Sequence, residues 1–236
     1  APNAATGWYL TSIPVTISFR DDTNQEEGGS PSGIKSVQYG WTGSKDIVPS
    51  TLKELTQNEV AAGSKRITVT ENGIGYIYCK VVDNAGNERE VFSQEIKKDA
   101  TVRSLTITGP EQGVPAQDGL TLHVKSASFG PSGGYITVRK STESSETTLL
   151  DNPGSGSLET DYKITSDGVY YISCYTYAND QPAVYTKYIR KVTFNSQGGS
   201  SVDSQFVWTR LGSDSTSTQV QCKVARPADP VLTGHT

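Results

Sequence analysis

Two stretches decide how this chain is read: Thr70-Glu71-Asn72-Gly73-Ile74-Gly75-Tyr76-Ile77-Tyr78-Cys79 and Thr165-Ser166-Asp167-Gly168-Val169-Tyr170-Tyr171-Ile172-Ser173-Cys174. Thr, Gly, Tyr, Ile and Cys recur between them at one offset of 95 residues, the length of a small β-sandwich. Each stretch enters an alternating run of residues, the period of a half-buried strand. One module therefore occurs twice. Around the first cysteine the alternation puts Ile77, Cys79 and Val81 on one face and Tyr76, Tyr78 and Lys80 on the other, so the first set is assigned to the core. The same parity predicts that Cys79 and Cys174 are buried thiols.

Working outward, short alternating runs separated by turn residues give strands in each copy. In the first copy they are Val15–Phe19, Ile34–Trp41, Lys65–Thr70, Gly75–Val82 and Glu90–Lys97. In the second they are Ser104–Thr108, Leu120–Ser126, Tyr135–Lys140, Asp161–Thr165, Val169–Tyr177 and Ala183–Val192. Ser50–Ala62, with Leu52, Leu55 and Val60, is the one helix candidate and reads as a short helical turn or an irregular crossover. The expected fold class is all-β: two tandem β-sandwiches and a short C-terminal β-rich segment. The domains expected are residues 1–99, 100–191 and 192–236. The link Lys98-Asp99-Ala100-Thr101 has no Gly or Ser tract, which predicts restricted swing between modules.

The totals agree. A chain of 236 residues with 23 Gly, 11 Pro and 12 Tyr favours strands and turns over helices. A formal charge of −4 gives no electrostatic reason to expect nucleic acid. No apolar run reaches the ~18–20 residues of a membrane span. With no Met and no leader-like N-terminus, the chain reads as a piece of something longer. Cys79, Cys174 and Cys222 have no C-x-x-C spacing and make no disulfide framework.

The segment Asp83-Asn84-Ala85-Gly86-Asn87 follows the run that ends near Val82 and precedes the strand from Glu90. Asp and Asn bond their own backbone and Gly supplies positive φ, so it reads as a hairpin turn. Whether calcium binds near Asp21, Asp22 and Asp83 stays open, because hard cations collect such oxygens although no D-x-D-x-D-G spacing is present.

Several motifs now stand in order: Gly7-Trp8-Tyr9, the Val15-Thr16-Ile17 strand, Asp21-Asp22, Ser32-Gly33-Ile34-Lys35-Ser36-Val37-Gln38-Tyr39, Ile67-Thr68-Val69 and Val82-Asp83-Asn84-Ala85-Gly86-Asn87. Together they resemble the bacterial immunoglobulin-like repeats of secreted and wall-attached proteins, over roughly residues 7–99. Residues 100–191 resemble that family through the repeat only. Val192-Thr193-Phe194-Asn195-Ser196-Gln197-Gly198-Gly199, then Arg226-Pro227-Ala228-Asp229-Pro230 and Thr233-Gly234-His235-Thr236, is similar to the Listeria/Bacteroides repeat, a small β-grasp module of bacterial surface proteins. The resemblance implies an extracellular protein at the bacterial cell surface.

Catalytic patterns are weak. Gly130-Pro131-Ser132-Gly133-Gly134 matches the G-x-S-x-G elbow in form, but that motif needs a strand-to-helix turn and here a strand follows. His123 shares the solvent side with Thr121 and Lys125, His235 lies by the chain end, and neither shows a companion at metal spacing. An internal Lys to Asn amide bond finds no Lys in Ser104–Thr108 and no Asn in Glu90–Lys97 or Ala183–Val192. The reading is therefore non-enzymatic, with no catalytic residue, cofactor or metal assigned. The function expected is a structural spacer that displays other domains. The alternative is an adhesin-like module for a host protein or glycan, using Tyr171, Tyr175 and Tyr177 on one strand face, with Tyr185 and Tyr188 in the next strand. A monomer is expected.

Overall fold

A computed structural model describes residues 1–3, 5–21, 30–111, 114–192 and 203–210. It is all-β with a single short helix among the described residues. The chain divides into two compact units: Ala1–Thr101 with Gly130–Ser132, and Val102–Phe129 with Gly133–Thr236.

The first unit contains β1 (Ile13–Ser18), β2 (Ile34–Thr42), β3 (Lys53–Glu54), α1 (Gln57–Ala61), β4 (Ser64–Val69), β5 (Gly73–Asp83), β6 (Glu88–Phe92) and β7 (Ile96–Lys98). β1 and β4 pair in one sheet. The other runs β3-β2-β5-β6, and β7 pairs with the start of β5. Every second residue of these strands points inward, so Ile13, Ile17, Ile67 and Val69 from one sheet meet Val37, Ile77 and Cys79 from the other. Val60 of α1 joins the same core. The helix is one turn long because Thr56 starts it with a local bond set: Glu59 Oε2 accepts from Thr56 N (2.9 Å) and Thr56 Oγ1 (3.1 Å). Lys65 pairs with Glu59 from the next strand, and the combined bonds hold that carboxyl down at about 2.

The expected strand Glu90–Lys97 is two strands. Ser93 interrupts it: its N–H donates to Ile77 O and its Oγ accepts from Ile77 N, both at 2.9 Å, which turns the chain between β6 and β7. The face assignment in β5 needs one correction. Tyr78, placed outside by parity, is 1% exposed, because Phe92 pairs opposite it and lays its ring 5.2 Å away. Burial, with Glu90 second, pushes the Tyr78 phenol up to about 12. Lys98 is also buried, at 3% exposure, and its ammonium donates to Thr70 O (2.9 Å) and Asn72 Oδ1 (2.8 Å). These acceptors satisfy a charge that would otherwise be costly to bury.

Asp99 of the first unit is buried too. Its Oδ2 accepts from Ser132 Oγ (2.6 Å) and Ser132 N (3.1 Å), and Oδ1 accepts from Thr101 N (2.9 Å). Burial raises its pKa, but the bonds from Ser132 and Thr101 outweigh that and leave it below the ordinary 3.8. A carboxyl depressed in the folded state contributes stability that is complete above 3.8 and is lost as pH falls through the folded value. Asp99→Asn should accordingly flatten the acid limb of the first unit's stability. Urea midpoints measured from neutral pH to below 3.8 check this, and an acid limb as steep as wild type would refute it.

The second unit contains β8 (Leu105–Thr108), β9 (Leu120–Ser126), β10 (Gly134–Lys140), β11 (Thr147–Asn152), β12 (Glu159–Ile164), β13 (Gly168–Thr176), β14 (Asn179–Val192) and β15 (Gln205–Arg210). Its sheets are β12-β9-β8 and β11-β10-β13-β14-β15, antiparallel throughout. Leu120, Leu122 and Val124 alternate inward along β9 and meet Ile136, Val138 and Ile172 of the facing sheet. β13 sits at the middle of its sheet, as β5 sits between β2 and β6. The matched glycines Gly73 and Gly168 open these strands with φ of 143° and 146°. β11 and β15 have no counterpart among the expected strands.

Beyond the break expected at residue 192, β15 pairs along β14 from Lys187 to Val192, and Phe206 belongs to the buried cluster of the second unit that also holds Leu122 and Ile172. The fifth strand therefore belongs to the second unit, where its aromatic residue fills the sandwich. The β-grasp reading beyond residue 210, Cys222 and His235 lie outside the described residues, as does Asp22.

Cys79 and Cys174 are buried and free, and burial raises both thiols, Cys174 to about 11. A bulky thiol reagent applied to a Cys222→Ser background should label neither until denaturant is added. Rapid labelling of the native protein at either position would show that the strand faces are assigned wrongly.

Candidate functional site

The turn from Asp83 to Asn87 is architectural. Asp83 Oδ1 accepts from Asn87 N and Oδ2 from Asn87 Nδ2, each at 2.7 Å, and Gly86 takes φ of 92°. Asn84 ties the turn to the neighbouring loop through Ser32 O (2.8 Å) and Gly33 O (2.9 Å). Asp21 Oδ2 accepts from Gly33 N at 2.7 Å. Asp21 and Asp83, two of the carboxylates considered for calcium, are thus engaged with backbone and amide donors. No group of three His, Cys, Asp or Glu among the described residues converges as a metal site.

His123 does have acidic partners, contrary to expectation. It stands on the exposed side of β9 directly opposite Asp161 of β12. Its Nδ1 lies 2.9 Å from Asp161 Oδ1 and its Nε2 3.1 Å from Glu159 Oε1, while Lys125 Nζ lies 2.6 Å from Glu159 Oε2. Lys125 first, then His123, hold Glu159 below the ordinary carboxylate range. Register was the missing signal: the pairing of β9 with β12 is invisible within either strand. The two ring nitrogens engage different carboxylates, so they do not gather round one point as ligands of a single metal must. This is a cross-strand charge ladder.

Of the three tyrosines proposed from the sequence, the structure keeps two together and replaces the third. Tyr175 lies on the outer face of β13, and Tyr177 follows the strand in the turn to β14. Tyr135 of β10, opposite Tyr175 in the register, stacks on it with ring centroids 4.9 Å apart and planes 13° from parallel. Tyr135 also meets Tyr177 at 5.3 Å. Tyr171 stands apart, covered by the Arg139 guanidinium 4.6 Å above its ring. Tyr185 and Tyr188 belong to β14, but their side chains lie outside the described residues.

Two carboxylates border the triad. Tyr175 donates its hydroxyl to Glu146 Oε1 (3.1 Å), Tyr177 to Asp151 Oδ1 (2.7 Å), and Thr137 Oγ1 to Glu146 Oε2 (2.8 Å). All three phenols are held above their ordinary range. Burial is the largest cause for Tyr135 and Tyr175, with the carboxylates adding to it; for Tyr177 the bond to Asp151 comes first. The rings therefore stay neutral. Tyr177 is 41% exposed, and Val184 of β14, opposite Ser173 on the same face, is 54% exposed. The arrangement can stack a flat or cationic group and neutralise positive charge.

Ser132, the serine of the elbow-like motif, gives its hydroxyl to Asp99, and no histidine of the described residues contacts it. Fold and site together define an all-β, sandwich-built protein with an aromatic and acidic surface on its second unit. In comparisons with known proteins, no family model matches the chain and no curated protein matches it.

Proposed function

We propose that this chain is a non-enzymatic structural segment of a bacterial cell-surface protein, built from immunoglobulin-like β-sandwiches, that carries other domains outside the cell. One observation supports the reading above others. Each unit has its own apolar core, and polar side chains of the described residues serve turns, cross-strand pairs and buried ties such as Lys98 to Asn72 and Asp99 to Ser132. A chain spent in this way on stable modules suits a load-bearing or displaying role, which needs persistence and not chemistry. The order of turn motifs in residues 7–99 adds the resemblance to exported bacterial repeats.

The test is replacement in the producing organism. Antibody against this segment should label intact cells. Exchanging it for unrelated tandem sandwiches of similar length should leave neighbouring segments of the same polypeptide on the surface and active. Absence from the cell surface would overturn the assignment of compartment, and loss of activity after exchange by a folded replacement would overturn the structural role.

A further inference from the structure

The tyrosine triad goes beyond a structural role. We propose that Tyr135, Tyr175 and Tyr177, with Glu146 and Asp151, form a docking face for an arginine side chain on an extended basic segment of a partner protein. Three observations select a cation. First, the faces of aromatic rings carry negative potential, and phenols that donate to carboxylates become richer in electron density. Second, Glu146 and Asp151 place two negative charges at the border of the triad, in a chain whose formal charge is −4. Neutral sugar would stack on the same rings and donate hydroxyls to the carboxylates, but it would leave their two negative charges without a counter-charge.

Third, three other tyrosines, Tyr76 and Tyr171 on outer faces and the buried Tyr170, already have a cation of this chain near the ring. Lys45 lies 5.2 Å over Tyr76, Arg139 4.6 Å over Tyr171 and Lys140 5.9 Å over Tyr170. No Lys or Arg of the described residues lies over Tyr135, Tyr175 or Tyr177. The chain thus shows the preferred ring partner next door, at Tyr171, and leaves the more acidic ring group to a partner. Arginine fits better than lysine because its planar guanidinium stacks on a ring while its edge donates to a carboxylate, and Asp151 Oδ2 has no hydrogen bond within the described residues. Exposed Val184 on the same face adds apolar surface for the stem of the incoming side chain.

The probe is a labelled peptide of alternating glycine and arginine, titrated against the whole chain by fluorescence anisotropy, beside the same peptide with neutral citrulline at each arginine. Saturable binding is expected for the arginine peptide only, and it should weaken as salt rises. Glu146→Gln with Asp151→Asn keeps acceptors for the phenols and should reduce affinity about tenfold, as should Tyr135→Leu with Tyr175→Leu. Should the tyrosine pair fail to fold, the carboxamide pair still decides. Binding that is absent, that is matched by the citrulline peptide, or that is undiminished in the carboxamide pair would overturn the proposal. So would a neutral oligosaccharide that binds the triad in a glycan screen while the arginine peptide does not compete.

Discussion

Gly133→Ala is expected to destabilise the second unit by about 3 kcal/mol, through a left-handed backbone and steric overlap acting together. Gly133 has φ of 75°, and a Cβ there would stand 2.3 Å from Asn152 O, 2.5 Å from Pro153 C and 2.8 Å from Gly154 N. All three are backbone atoms, so no rotamer change relieves them. Gly86→Ala provides the contrast. It shares the positive φ, at 92°, but its Cβ would meet nothing within 4 Å, which leaves only the conformational cost of about 1 kcal/mol. Folded domains are stable by only ~5–15 kcal/mol, so the first change removes a large share. Gly133 O also accepts from Tyr177 N at 3.2 Å, which links this turn to the aromatic face. Urea unfolding followed by hydrogen exchange should show β10 and β11 losing protection in Gly133→Ala while β2 and β5 keep theirs. Equal losses in the two glycine variants would mean that the loop after Asn152 yields to the new methyl group.

What could be read from the sequence was whatever one strand displays by itself. β9 matches its expected span because Leu120, Leu122 and Val124 alternate with Thr121, His123 and Lys125 across one buried and one open face. The turn at Asp83 to Asn87 was legible for a similar reason, since its bonds are local. β11 was not, because Leu149 and Leu150 are adjacent and the pairing with β10 shifts register between Ile136 and Thr137, which breaks the period of two. Properties that depend on two strands were also hidden. Tyr78 is covered by Phe92, His123 faces Asp161, and Tyr135 completes the ring group, each through a partner that parity within one strand does not reveal. The candidate site was therefore half legible: Tyr175 and Tyr177 from alternation, Tyr135, Glu146 and Asp151 only from the fold.

Phe206→Ala should lower the stability of the second unit by about 3–5 kcal/mol, the usual cost of truncating a buried phenylalanine and leaving a cavity. Phe206 is 5% exposed and belongs to the buried cluster that also holds Leu120, Leu122, Val124, Ile136 and Ile172. Its backbone is fixed as well: Phe206 N donates to Ala116 O at 2.8 Å, and Ala116 N donates to Phe206 O at 2.9 Å. Val207 beside it is fully buried. The strand that carries it lies C-terminal to the point where the sequence suggested a new module, so the substitution tests which body these residues belong to. If they belong to the second unit, protection should fall in β9 and β13, strands remote in sequence from residue 206. If they formed a separate module, β9 and β13 would exchange as in wild type, and the loss would stay within β15. The hydrogen bonds to Ala116 argue for the first outcome, because Ala116 precedes β9 and bridges to Phe206 through both of its backbone groups. A β15 strand held by β14 and by Ala116 in this manner keeps Phe206 in the buried cluster, and its aromatic side chain is the part that water would replace on opening.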